Sequence, residues 1–232
     1  MGKGESGNST ARTLAASTGL IEVENSHNVG GGTVYKQIQL EEICDGAHAM
    51  GLPVHMDGAR IFNASAALGI PVSQIAKKLD TVMFCLSKGL GAPVGSLLVG
   101  PRSLIERGRL YRKRLGGGMR QVGILAAAGL IALEKMPARL VEDHANAKML
   151  ANQLAVMPGI SIDPARVQTN IVIFDVAGTG LDGAEFSARM KSMGVLMNPF
   201  GPNIVRIVTH YDVPLKACAA AAEKIQLMLE TV

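Results

Sequence analysis

Three short stretches hold residue types that could do chemistry together. Thr81–Leu86 is an apolar, strand-like run that ends in Ser87-Lys88, followed closely by Gly89, Gly91, Pro93 and Gly95. A lysine at the carboxyl end of a buried strand is costly unless it points into water or is held there for a purpose. Desolvation lowers a lysine pKa and makes the amine a usable nucleophile, including for Schiff bases. The second stretch is VHMDGAR, Val54–Arg60. It ends a strand in Asp57 and places Arg60 in the turn. Asp-Gly alone is only a turn signal. An acid that can pair with a protonated pyridine nitrogen, an arginine that can grip a carboxylate and a strand-end lysine together match what pyridoxal phosphate chemistry requires. The third is VRIVTH, Val205–His210, with Arg206 inside a strand-like run.

These residues need a frame, and the chain supplies the pattern of one. Strand-like and helix-like segments alternate. Gly19–Glu24, Leu52–Asp57, Thr81–Leu86 and Gly95–Val99 read as strands, Lys36–Met50 as a helix and Val72–Leu79 as a short helix. Such alternation predicts an α/β fold with mostly parallel pairing, and ligand sites in such sheets lie at the strands' carboxyl ends. The short glycine-bearing link Lys88–Val94 permits the Gly95 strand to run antiparallel. VMFCL and SLLV are apolar on both faces, which predicts a sheet covered by helices on both sides. Two or three helices are expected between Pro101 and Met157, with a break at Pro137. GILAAAGLIAL, Gly123–Leu133, is too short to span a bilayer and reads as a buried helix. Past Gly159, strands Asn170–Val176 and Ile204–Thr209 alternate with helices Gly183–Met193 and Leu215–Thr231, a smaller α+β unit. The expected division is 1–18 as an unstructured lead-in, 19–135 as a large domain and 136–232 as a small one.

Composition limits the function classes. The 232 residues are 48% hydrophobic and 18% charged, which reads as globular. Aromatics are 3% with no Trp, so the core must be aliphatic, with 12 Met contributing. Cys44, Cys85 and Cys218 form neither a metal spacing nor an even disulfide set, which points to a reducing compartment and a cytoplasmic protein. The start shows no secretory h-region and no transmembrane run. MGKGES fits a myristoylation pattern and Asn8-Ser9-Thr10 a glycosylation acceptor, and both are expected to be silent. Net charge is +4, with seven cations between Arg102 and Arg120. That run reads as a solvated helix face, a small-anion site or a subunit contact. Only Tyr111 could stack on bases there, so nucleic acid is not an expected partner.

HMDGARIFNASAALGIP, FCLSKGLGAPVGSLLVGP and RLGGGMRQVGILAAAGLIALE, together with GLIEVENSHN and VRIVTHYDV, resemble the low-specificity L-threonine aldolases. These are pyridoxal phosphate enzymes of the aspartate aminotransferase-like fold, fold type I. The resemblance runs from about Gly19 to the C-terminus. It implies that Lys88 holds the cofactor as an imine and that Asp57 pairs with its pyridine nitrogen. It further implies that Arg60 contacts the ring oxygen or the substrate carboxylate, and that Arg206 is the main carboxylate anchor. Arg120, and Lys113 with it, are expected near the cofactor phosphate, possibly across a subunit boundary. Asn25 and His27 fall in a family-like Glu-Asn-x-His, where His27 reads equally as a structural or a site residue. His55 is expected in the core, and His48, His144 and His210 as structural.

The implied activity is aldol cleavage of threonine, allo-threonine and other β-hydroxy-α-amino acids to glycine and an aldehyde, by a homodimer or homotetramer. Two alternatives stay open: another lyase reaction such as β-elimination, or a non-catalytic fragment or partner subunit. The resemblance also implies a Gly-Thr phosphate loop and a ring-stacking histidine ahead of the first strand, and Met1–Thr18 matches neither. A chain lacking them is expected to hold the cofactor weakly, and its first strand to expose a sheet edge.

Overall fold

The structure is a computed structural model that describes residues 18–231. The lead-in and its two short motifs lie outside the described residues, apart from Thr18. Four strands, β1 (Ile21–Glu24), β2 (Val54–Asp57), β3 (Thr81–Cys85) and β4 (Ser96–Val99), form one sheet in sequence order. The first three run parallel, with Glu24 opposite Asp57 and Asp57 opposite Met83. The carboxyl ends of β1, β2 and β3 therefore face the same way. β4 returns antiparallel after the glycine-bearing link.

Local sequence explains the packing of this half. In β2, Val54 and Met56 point inward and are fully buried, while His55 and Asp57 are half-buried on the other face. His55 is therefore not a core residue; its Nδ1 lies 2.7 Å from Thr81 Oγ1 on β3. Helix α1 (Gln37–Ala49) buries Leu40, Cys44 and Ala47, spaced one turn apart. Helix α2 (Ile61–Leu68) buries Ile61 and Ala64 against the same cluster. Helix α3 (Val72–Ile75) is shorter than its apolar spacing suggested.

Two expectations about burial fail. β4 is exposed on both faces, with Leu97, Leu98 and Val99 at 38%, 46% and 52% exposure. Helix α4 (Arg102–Arg114) packs beside β4 and buries no residue, which agrees with its reading as a solvated basic face. Helix α5 (Gly123–Lys135) forms as expected from GILAAAGLIAL, yet it buries only Gly129 and Ala132. Ile124 is 86% exposed. Apolar composition set the helix but not its cover, because the described chain presents only one neighbour face to it.

A three-residue 3-10 turn at Pro137–Arg139 breaks the helical run, and helix α6 (Leu140–Leu154) follows. The second sheet is antiparallel, with β7 (Ile204–Val208) between β5 (Ile171–Asp175) and β6 (Asn198–Pro199). Helix α7 (Gly183–Ser192) starts at a capping box. Asp182 Oδ1 accepts from Ala184 N and Glu185 N, and Glu185 Oε2 accepts from Asp182 N. Helix α8 (Leu215–Leu229) buries Cys218, Ala222 and Ile225 at helical spacing. These helices and α6 enclose a core in which Phe174 and Phe186 meet edge to face at 5.9 Å. Leu140, at the start of α6, instead packs with Leu86 and Leu90 beneath the Lys88 loop. All three cysteines are free and buried.

Candidate active site

Asp57, Arg60 and Lys88 sit in the loops that leave β2 and β3 at the sheet's carboxyl edge. Gly58 donates to Met83 O at 2.8 Å, so β2 and β3 stay in contact through the turn. A Cβ at Gly58 would lie 2.8 Å from that same oxygen, which explains the Asp-Gly pair. Asp57 Oδ1 accepts from Ala59 N at 2.9 Å, and this Asx turn fixes the carboxylate. Arg60 caps α2 and is half-buried.

Lys88 opens a turn closed by Gly91 N donating to Lys88 O at 2.8 Å. Gly91 has a φ of +72°, a left-handed value that glycine adopts without strain. Buried Leu86 and Leu90 pin the loop from below. The lysine's place at the strand end therefore follows from a glycine turn clamped onto a small apolar cluster. Lys88 is half-buried, and its ammonium makes no ion pair or hydrogen bond among the described residues.

The loop after β1 joins the two sheets. It is closed by a bridge between His27 and Thr33, and it docks on the second sheet through Thr169 Oγ1 donating to Gly32 O at 2.8 Å. At its apex Asn28 N donates to Glu24 Oε1 at 3.0 Å. Asn28 Oδ1 accepts from two guanidiniums, Arg60 Nη1 at 3.3 Å and Arg206 Nη1 at 3.1 Å. Arg60, at the start of α2, and Arg206, on β7, thus meet on one carboxamide oxygen. Burial, and then the neighbouring Arg206, lower the Arg60 pKa below the ordinary arginine value. Two cations held this close favour an anionic ligand between them. The Arg206 guanidinium also lies over the Phe200 ring, 4.8 Å from its centroid, and its Nε is buried with no acceptor.

Two cavities flank this point. One, of about 580 Å³, is lined by Glu22, Glu24, His27, Tyr35, Gln39 and Asp57. His27 Nε2 lies 3.3 Å from Glu24 Oε2 at its rim. The other, of about 400 Å³, lies between Val29–Gly31 and the β5 face that carries Ile173, the register partner of Arg206. The Asn25 side chain, fully buried at the end of β1, has neither polar atom satisfied.

The predicted residues divide clearly. Arg60 and Arg206 are in one cluster, and Asp57 and Lys88 stand on the same carboxyl edge. Lys113, on α4, and Arg120, between α4 and α5, are exposed and make no hydrogen bond or ion pair with these four. Sequence reasoning picked Asn25 and His27 and passed over Asn28, whose only signal was its position beside that motif. His210, expected as structural, places its Nε2 2.9 Å from the Lys88 carbonyl oxygen, a backbone contact. Among the described residues no group of His, Cys, Asp and Glu could hold a metal ion, and no helix is long and apolar enough to cross a membrane.

The chain is 43% identical over 202 residues to low-specificity L-threonine aldolase 1 of Arabidopsis thaliana, covering 87% of this chain and 56% of that protein. It is 44% identical over 207 residues to the low specificity L-threonine aldolase of Escherichia coli K12, covering 89% and 59%. It therefore spans less than two thirds of the length of these relatives. Among solved structures, the threonine aldolase of Leishmania major matches with a TM-score of 0.69 at 19% identity, over 91% of this chain and 61% of that one. A PLP-dependent aminotransferase from Streptococcus suis matches with a TM-score of 0.69 at 18% identity, over 95% and 60%. Those likenesses show the α/β fold. The sequence profile described as beta-eliminating lyase matches residues 8–177, and the chain belongs to that family.

Proposed function

We propose that this chain carries the lysine, the acid and the carboxylate-binding arginines of a pyridoxal phosphate lyase. Its reaction is the cleavage of threonine, allo-threonine and related β-hydroxy-α-amino acids to glycine and an aldehyde. The observation that carries this reading is the meeting of Arg60 and Arg206 on Asn28, beside the strand ends that hold Asp57 and Lys88. The free residues fit the cofactor. Asp57 has one oxygen held by Ala59 N and the other without a partner among the described residues, suited to a protonated pyridine nitrogen. The Lys88 amine has no competing partner, and the buried, unmet Arg206 Nε suits a carboxylate.

When bound, the cofactor supplies an electron sink for negative charge at the substrate Cα. Asp57 would hold the ring nitrogen in its protonated form, and Lys88 would hold the cofactor through its amine. Arg206, with Arg60, grips the carboxylate and so sets how the Cα–Cβ bond is presented. The Glu24–His27 pair supplies an imidazole that can take the β-hydroxyl proton as the aldehyde leaves.

Borohydride reduction of the chain mixed with pyridoxal phosphate should label Lys88, and label at Lys78 or Lys113 instead would reject the assignment. Feeding allo-threonine then separates the reactions. Acetaldehyde and glycine support aldol cleavage, whereas ammonia supports the β-elimination that the family description names. No absorption band with pyridoxal phosphate would favour a non-catalytic subunit.

A further inference from the structure

We infer that Asn28 is a positioning residue whose carboxamide oxygen orients Arg60 and Arg206 toward a carboxylate ligand. This rests on the reading of those arginines as a carboxylate site. The hydrogen-bond pattern argues for it. Asn28 takes Nη1 of both guanidiniums. A guanidinium grips a carboxylate bidentately through Nη1 and Nη2, as Arg139 grips Asp143, or through Nε and Nη2, and with Nη1 taken by Asn28 the second edge is the one left. On Arg206 the Nε of that edge is buried and without acceptor. Asn28 therefore satisfies the outer nitrogen and leaves the fork for the ligand.

The carboxamide is well held for this work. Asn28 N is fixed by Glu24 Oε1 at 3.0 Å, and Asn28 O accepts from Gly31 N at 3.2 Å. Its side chain thus projects from a backbone bonded on both sides. Phe200 packs on the Arg206 guanidinium at 4.8 Å and limits its swing. A neutral acceptor here orients two cations without cancelling their charge. A carboxylate in its place would neutralise the pair and compete with the ligand. The choice of Asn over Asp thus gives up native-state stability in exchange for an open anion site.

The test is thermal melting of the chain in sodium acetate, against sodium chloride at equal ionic strength. Acetate should raise the wild-type melting temperature saturably. Asn28→Asp should melt higher than wild type without acetate, and its acetate midpoint should rise about a hundredfold or more. Asn28→Ala should not melt higher, and its midpoint should rise about tenfold, because both guanidiniums lose the acceptor that orients them. A purely structural asparagine would not give a variant both more stable and blind to acetate. A wild-type response to acetate with the Asn28→Asp midpoint within twofold of it overturns this inference and leaves the carboxylate reading standing. If Asn28→Asp does not fold, Asn28→Ala decides by the same twofold criterion. No acetate response in wild type overturns both.

Discussion

His210, just past the end of β7, holds the backbone of Lys88: its Nε2 lies 2.9 Å from the Lys88 carbonyl oxygen, which also accepts from Gly91 N. A carbonyl can only accept, so Nε2 carries the proton in this contact. The second sheet therefore steadies the turn that presents the lysine amine. The opposite face of His210 meets Tyr211, with ring centroids 4.5 Å apart.

Replacing His210 by alanine removes the bond to the Lys88 carbonyl and the 3.2 Å contact of Nδ1 with the exposed Asp212 carboxylate, and should cost about 1–2 kcal/mol of unfolding free energy. His210→Gln, which can still donate from its amide, should recover part of it. Urea midpoints measure both. Equal midpoints for wild type and His210→Ala would mean that the contact contributes nothing.

Arg206→Lys keeps the charge and loses the fork. Carboxylate binding should weaken by about 10- to 100-fold, matching roughly 1.5–3 kcal/mol for a charge-assisted pair. Acetate protection reads this, and pyridoxal phosphate absorbance serves as the control. If absorbance falls as steeply as acetate protection, Arg206 acts by holding the fold rather than the carboxylate.

The placement of Asp57, Arg60 and Lys88 along one sheet edge was legible because each lies at or just past a strand end or at a helix start within a short motif. Asp57, Arg60 and Lys88 are local facts. Asn28 and His210 were not legible, because their partners lie far along the chain. Asn28 and Arg206 are 178 residues apart, and His210 and Lys88 are 122 apart. A lone Asn or His carries no pattern that announces such a contact. Most strands and helices were read from periodicity within a few residues of their bounds, but helix α2 (Ile61–Leu68), two turns long and directly behind the Asp-Gly turn, was not expected. β6, two residues long, offered no period to read. Cover was the other blind spot. In α5 and β4 the sequence is apolar, but burial depends on which surface arrives opposite, and periodicity does not encode that.

Asp143 is fully buried on α6 and pairs bidentately with Arg139, at 2.7 and 3.1 Å. Its backbone oxygen accepts from Thr209 Oγ1, which ties the pair to the end of β7. Removing Arg139 strands the fully buried carboxylate, whereas removing Asp143 leaves Arg139 its exposed partner Glu142 at 3.4 Å. Arg139→Met should destabilise by about 3 kcal/mol. Asp143→Ala/Arg139→Met together should cost less than Arg139→Met alone, because no buried charge is then left unpaired. Additive losses in denaturant titrations would reject the pairing as the source.

The last expectation concerns pH. His144, on α6, is half-buried, and burial lowers its pKa below the ordinary histidine value, while Asp143 acts weakly the other way. Asn63 Nδ2 lies 3.1 Å from His144 Nε2 and also donates to Asn170 Oδ1 at 3.3 Å. The ring nitrogen must then accept, which requires it to be unprotonated. A histidine whose folded pKa is depressed binds protons more readily in the unfolded chain. Its contribution to stability is present above the unfolded pKa, about 6.5, and is lost as pH falls through the lower folded value. Asp80 acts in the same direction but lower. Val54 N and His48 Nε2 bond its carboxylate and lower its pKa, so its contribution fades only as pH falls below about 4. Urea midpoints taken from pH 8 to pH 5 should therefore decline in wild type. His144→Gln, which can still accept from Asn63, should flatten that decline, while Asp80→Asn should leave it in place. Parallel curves for wild type and His144→Gln would show that the imidazole is not what acid attacks in this window.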